Sequence, residues 1–336
     1  MNLAKKLLPL LGGLVVGLSL IFWFFCFVSR QDVFFNEEVK LNPSFKSEVD
    51  TGEVTLLAVG DIMLDRGVAQ LVNKKGGGDF AYVFENIRAL KGEADILLGN
   101  LEGPVSDRGA DVGNLYSFRM SPKVLPVLKG VGFDILNVAN NHAGDWGVTA
   151  FLDSLERLSA AGLAYIGGGL TKVQAEKPVI IEKNGLKVGF LGFSDVGPNW
   201  LAATEREAGI LLAGDTHFSE IITQAAGQTD VLIVMIHFGE EYQAFHNERQ
   251  ENLAKTALQA GARAVVGHHP HVVQDEESLG HQYIAYSLGN FIFDQNFSVE
   301  TMSGLALKLK LSQDGVAGVE KLPISINHNF QPNFAN

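Results

Sequence analysis

Three of the chain's nine histidines fall within four positions, in Gly267-His268-His269-Pro270-His271. Imidazole is the commonest protein ligand for a transition metal, and two ligands spaced i, i+2 on a loop can converge on one ion. The stretch directly follows the apolar run Ala262-Arg263-Ala264-Val265-Val266, which reads as a short buried strand, so the histidines fall at its C-terminal end. Four other apolar runs end in the same manner. Residues 54–59 lead into Gly60-Asp61, 95–98 into Gly99-Asn100-Leu101-Glu102, 133–138 into Asn140-Asn141-His142, and 231–236 into His237-Phe238-Gly239-Glu240-Glu241. A Gly-Asp after one strand is most often a turn, and a lone His237 is most often structural. Five such ends in succession, offering carboxylate, amide and imidazole, point to one crevice outside the carboxyl ends of the strands.

The mixed nitrogen and oxygen set suits Zn, Mn or Fe better than Ca or Mg, which favour oxygen throughout. Two such divalent ions, roughly 3.5–4 Å apart, can activate a bridging water and stabilise charge on the attacked centre. His142 is then a candidate proton donor to a leaving group, with Asp145 placed to orient it; the alternative role for His142 is a further metal ligand. Arg119 is a candidate for a bidentate contact with a substrate carboxylate or phosphate, or else a surface arginine. Glu240, Glu241 and Tyr242 are candidates to line the crevice behind His237, and Asn290 in Tyr286-Ser287-Leu288-Gly289-Asn290 to close its floor. His217, His246, His281 and His328 lie outside these motifs and read as surface histidines.

The elements that must position these residues are those of an α/β domain. Strands are predicted at 54–59, 95–98, 133–138, 186–193, 231–236, 264–266 and 283–286, with amphipathic helices at 148–161, 216–226 and 248–260 between several of them. Asn184-Gly185 marks a hairpin joining 179–182 to 186–193, and Asp314-Gly315 a second joining 305–311 to 316–326, so the sheets are mixed. Nothing inside 53–326 forces a second domain, and 327–336 reads as a C-terminal tail.

Residues 7–28 carry no charge and follow Lys5-Lys6. At about 1.5 Å per residue they span roughly 33 Å, enough to cross the hydrocarbon layer. Their bulky aromatic end offers no small-x-small cleavage site, which favours an uncleaved signal-anchor over a removed signal peptide. The two lysines keep the short N-terminal side cytoplasmic. The expected order is a cytoplasmic tip and transmembrane helix (1–30), a linker (31–52) and an extracytoplasmic domain. Cys26, the sole cysteine, lies in the anchor, so the exported domain has no disulfide. Three of the 26 Lys and Arg precede residue 31 and none of the 38 Asp and Glu do, which leaves 23 against 38 and a balance of −15 outside. That acidity excludes nonspecific binding of nucleic acid.

Gly60-Asp61-Ile62-Met63-Leu64, Asn100-Leu101-Glu102, Asn140-Asn141-His142 with Asp145, His237 through Tyr242, Gly267 through Val272, and Tyr286 through Phe291 occur in the order found in the CapA family of bacterial poly-γ-glutamate capsule biosynthesis proteins, which residues 53–295 resemble. That family is similar to the calcineurin-like metallophosphoesterases, so the resemblance implies a β-sandwich of mixed sheets flanked by helices. It implies Asp61, Glu102, Asn141, His237, His269 and His271 as metal ligands, with His268 packing behind them. It also implies an anionic polymer or phosphoester substrate, membrane attachment and capsule synthase subunits as partners.

Three departures from the phosphoesterase pattern stand out. Met63 replaces the second ligand of Asp-x-His, Glu102 replaces a differently spaced aspartate, and Asp145 follows His142 by three residues instead of one. Three functions remain open on the sequence: a capsule-linked hydrolase, a polymer-gripping component without catalysis, and a cell-envelope phosphoesterase.

Overall fold

The computed structural model describes residues 52–335. The expected anchor and all of the linker but Gly52 lie outside the described residues; among those described, no helix is long and apolar enough to cross a membrane.

The first half of the chain supplies β1 (Val54–Ile62), β2 (Ile96–Leu101), β3 (Ile135–Asn137), β4 (Ala164–Ile166), β5 (Gly168–Gly169), β6 (Val179–Lys183) and β7 (Leu186–Ser194). The second half adds β8 (Gly209–Ile210), β9 (Val231–His237), β10 (Ala264–His268), β11 (Glu276–Leu279), β12 (Gln282–Ala285) and β13 (Asn290–Ile292). It ends with β14 (Ser303–Ser312), β15 (Gly315–Ile326) and β16 (Pro332–Phe334). The helices are α1 (Arg66–Lys75), α2 (Val124–Val131), α3 (Gly147–Ala160), α4 (Lys172–Ala175), α5 (Phe218–Ala226) and α6 (Glu248–Gln259), with a kinked 3-10 helix at Phe80–Gly92.

One sheet runs β16-β15-β14-β1-β2-β3-β4, with β13 also on β1; the other runs β11-β12-β10-β9-β7-β6, and β5 pairs with β8 apart from both. The strands that carry the motifs are parallel within each sheet, β1 to β4 in one and β7, β9, β10 and β12 in the other. Both expected hairpins form, with Asn184 and Gly185 at φ 49° and 76° in the first turn. Both sheets are thus mixed.

Alternation along each strand explains the layers. Val54, Leu56 and Ala58 of β1 pack with Ile96, Leu98, Val188, Phe190, Ile233, Met235 and Val266 in a core between the sheets. Leu57 and Val59 point the other way, toward Val68, Phe84, Leu128 and Leu155 of the helical elements on that side. On the second sheet, Phe193, Val234, Ile236 and Val265 meet Phe218, Ile222, Ala254 and Ala257 of α5 and α6. The order is helix, sheet, sheet, helix. Central strands covered on both faces must read as continuous apolar runs, which is how they are legible in the sequence.

Several elements differ from expectation. α2 carries Pro126 in its first turn, where the missing N–H costs nothing but the proline argues against a helix on sequence grounds. The predicted strand 133–138 shortens to Ile135–Asn137 because Phe133 turns into the helical layer and Asp134 spends its carboxylate on the Leu97 amide. Within the expected tail, residues 327–335 supply β16, paired to β15, and Phe330 is buried; this stretch therefore completes the sheet edge.

Candidate metal centre

Registry brings the polar strand ends together. Asp61 pairs with Asn100 and Asn100 with Asn137 across β1, β2 and β3, while Ser194 pairs with His237 and His237 with His268 across β7, β9 and β10. In β1 one extra residue separates the Ala58–Leu98 pair from the Asp61–Asn100 pair. That bulge turns Asp61 to the inner side of the sheet, at the mouth between the two sheets. Gly60 makes the close passage possible, since a Cβ there would lie 2.0 Å from the Gly289 carbonyl oxygen.

Asn100 is the hub. Its Oδ1 accepts from Asn137 Nδ2 (2.9 Å) and Asn140 Nδ2 (3.4 Å), which fixes the amide so that Nδ2 faces Asp61 Oδ1 (2.8 Å), Glu102 Oε2 (3.4 Å) and His237 Nδ1 (3.4 Å). Three acceptors of three residues thus converge on one NH2 group. The opposite nitrogen of His237 lies 2.8 Å from Asn141 Oδ1, and the His237 and His269 ring centroids are 4.8 Å apart. His271 Nδ1 sits 3.2 Å from Asp61 Oδ2, and its Nε2 3.6 Å from Glu102 Oε1. His142 Nδ1 lies 2.7 Å from Asp145 Oδ2, and its Nε2 3.8 Å from Glu102 Oε1.

The electrostatics are those of ionisable groups removed from water. Burial would raise the Asp61 carboxyl, but hydrogen bonding from His271, the charges of His268 and His271 and the Asn100 amide together hold it below its ordinary value. Glu102 is pushed well above its ordinary value, by burial first and then by the negative charges of Asp61, Glu241 and Asp145. Burial, with His269 next, depresses His237 strongly; burial and His271 push His269 down to about 3, so both imidazoles are neutral and able to ligate.

Of five buried side-chain polar atoms without a hydrogen-bond partner among the described residues, two belong to this cluster, Glu102 Oε1 and His269 Nδ1. An orphaned buried carboxylate oxygen costs free energy that a bound cation would recover. Ligand atoms of Asp61, Glu102 and His271 lie within 4.8 Å of one another, as do those of Glu241, His269 and His271. The residues fit a divalent metal, and the donor set is the N/O mixture read from sequence.

Asp61, Glu102, Asn141, His237, His269 and His271 all fall in this cluster, and Asp145 holds His142 while also accepting from Phe118 N (2.8 Å) and Asn114 Nδ2 (2.8 Å). His268 is fully buried and bonded to the Val59 carbonyl at 3.1 Å, a packing position. Met63 is also fully buried in the apolar core beside the helices, its sulfur accepting from Asp65 N at 3.2 Å.

Four assignments change. Asn290 is buried behind the centre with Oδ1 3.1 Å from His271 Nδ1, where it positions a ligand and is not among the residues lining the cavity. Glu240 is exposed and outside the cavity beside the cluster. Arg119 stacks on the Trp146 ring at 3.5 Å and donates to the Arg108 carbonyl, so the cavity's arginine is Arg66. His246 is no free surface histidine either, because it stacks on Tyr286 at 3.8 Å and pairs with Asp275.

That cavity, of about 170 Å3, is lined by Arg66, Tyr116, Phe118, His142, Glu241, Tyr242 and His271 among others, so Glu241 and Tyr242 stand where expected. Arg66 and the Tyr116–Phe118 wall escaped sequence reasoning. Asp65-Arg66 just beyond Gly60-Asp61 was the available signal.

The model of a family described as bacterial capsule synthesis protein PGA_cap matches residues 55–295. The PGA biosynthesis protein CapA of Bacillus subtilis (strain 168) is 34% identical over 272 residues, covering 80% of this chain and 70% of that one. The capsule biosynthesis protein CapA of Bacillus anthracis is 34% identical over 282 residues, covering 82% and 68%. Among solved structures, a hypothetical protein from Thermus thermophilus superposes with a TM-score of 0.51 at 14% identity, covering 80% of this chain and 98% of that one, which is a likeness of fold. The calcineurin-like phosphoesterase YfkN from Bacillus subtilis gives a TM-score of 0.46 at 17% identity, covering 82% and 92%. With the family model matched across every motif of the cluster and two relatives at this identity, the chain belongs to the bacterial capsule synthesis protein PGA_cap family.

Proposed function

We propose that this protein is a membrane-anchored, extracytoplasmic, metal-dependent hydrolase working in assembly or export of a poly-γ-glutamate-type capsule beside synthase subunits. The observation that carries the chemistry is the buried Asp61, Glu102 and His271 set, with its unpartnered Glu102 oxygen, next to the His142–Asp145 pair. The charge-free stretch 7–28 after Lys5-Lys6 supports the anchoring and its direction. The naming of the CapA relatives supports the capsule role.

Asp61, Glu102, Asn141, His237, His269 and His271 would hold one or two divalent ions, of Mn, Zn or Fe. A metal bound there supplies Lewis acidity and a nucleophilic water at neutral pH. Asn100 and Asn290 keep the ligand side chains aimed by occupying their other polar atoms. Asp145 accepts from His142 Nδ1 and orients the ring, so Nε2 is the atom through which His142 would pass a proton to the leaving atom. Phe118, with its centroid 3.9 Å from that of His142, shields the pair from water.

A second reading, a polymer-gripping component without turnover, is favoured by Met63, which withholds one imidazole from the set. The full chain in detergent, assayed on poly-γ-glutamate and on a phosphodiester with and without Mn, separates the readings. Metal-dependent cleavage abolished by His142→Ala supports the hydrolase; no cleavage of either compound under any condition supports the gripping component. Cleavage of the phosphodiester alone assigns an envelope phosphoesterase.

A further inference from the structure

Six non-glycine residues among those described have positive φ, and four of them meet at one place. Arg66 (48°), Tyr242 (65°) and His271 (59°) line the 170 Å3 cavity, and His269 (102°) lies beside His271. Asn184, by contrast, serves a hairpin turn. A bulky residue in the left-handed region is strained, and such strain persists where the surroundings over-determine it, most often at working sites. Strain at His269 and His271 fits the metal cluster. Strain at Arg66 needs its own account.

The Arg66 guanidinium lies 5.2 Å from the Phe118 centroid and 5.6 Å from that of Tyr116, with Nη2 3.2 Å from Asp294 Oδ1. Asp294 is itself held, its Oδ2 accepting from Gly67 N at 2.9 Å. The ion pair is a single contact at Nη2 and leaves donors of the five-donor fork for a ligand. The same Phe118 ring touches His142, so an anion on Arg66 sits one aromatic ring away from the His142 imidazole. Glu241 and Asp294 line the cavity too, so a dianionic phosphate would face two carboxylates with one guanidinium. A planar, singly charged carboxylate matches the fork and shares it with Asp294 at less cost.

We infer that Arg66 is the specificity-determining residue of this cavity and grips a substrate carboxylate beside the bond that is cut. The inference rests on the hydrolase reading for the role of that bond. The test is calorimetric titration of the full chain in detergent, loaded with Mn and carrying His142→Ala to suppress turnover. The probes are γ-linked triglutamate, its methyl ester and phenyl phosphate.

Triglutamate should bind about 10- to 100-fold more tightly than its ester, as befits a charged hydrogen-bonded contact. Arg66→Met should erase that difference with Mn content unchanged, and Arg66→Lys should restore part of it. Arg66→Asn, which suits the left-handed backbone, keeps the test open if Arg66→Met misfolds. Arg119→Met should leave the affinity as it was. Equal binding of acid and ester, no binding at all, or full affinity in the Arg66 variants would overturn the inference. Arg66-dependent binding confined to phenyl phosphate would overturn the carboxylate assignment. Failure of the hydrolase reading shows separately, as absence of metal-dependent turnover in the unsubstituted chain.

Discussion

Replacing Glu102 by glutamine should stabilise the metal-free protein while removing its response to metal. Glu102 is fully buried, its Oε1 has no hydrogen-bond partner, and the negative charges of Asp61, Glu241 and Asp145 act on it. Its folded pKa is raised above the ordinary 4.5, so it takes up a proton on folding. The sign follows by linkage: the penalty is absent below about pH 4.5 and grows as pH rises toward the raised value, at most about 1.4 kcal/mol per pH unit. Between pH 5 and pH 7 the metal-free wild type should lose up to about 3 kcal/mol relative to Glu102→Gln, roughly 5 °C in Tm for a domain of this size. Thermal melts of both proteins in EDTA at pH 5, 6 and 7 measure the gap. With Mn added at pH 7 the wild type should recover and Glu102→Gln should barely respond. A gap independent of pH, or a variant less stable than wild type at pH 7 in EDTA, would refute the reasoning.

Gly60→Ala should cost about 2 kcal/mol or more in melting experiments, because its Cβ meets the Gly289 carbonyl at 2.0 Å and forces β1 from β13. Asp145→Asn should cut turnover of whichever compound is cleaved about 100-fold or more while leaving Mn content intact, because His142 loses the acceptor that holds Nδ1. Metal analysis alongside steady-state rates checks that split.

The ligand cluster was legible because each member stands at the end of an apolar run, and strand direction alone sends such ends to one rim. His268 was separable from His269 and His271 by family pattern, and burial against the Val59 carbonyl agrees. What escaped was set by contacts distant in sequence. Nothing local to Arg119 announces that Trp146 will cover it, and nothing local to Arg66 announces Asp294, far along the chain. Asn290 was placed at the crevice from sequence, but only the fold shows that it meets His271 and is not among the residues lining the cavity. α2 was hidden by Pro126, and β16 by a polar segment whose pairing depends on the long β14–β15 hairpin.

The most direct measurement is metal bound per chain. The full-length protein in detergent is stripped with EDTA, dialysed against Mn or Zn, and analysed for metal and for Tm beside Asp61→Asn and His269→Ala. The account predicts at least one divalent ion retained per chain and a gain of about 2.7 kcal/mol at a free metal concentration 100 times Kd, both reduced or lost in the two variants. A wild type that retains no metal and melts at the same temperature with and without it would contradict the central claim.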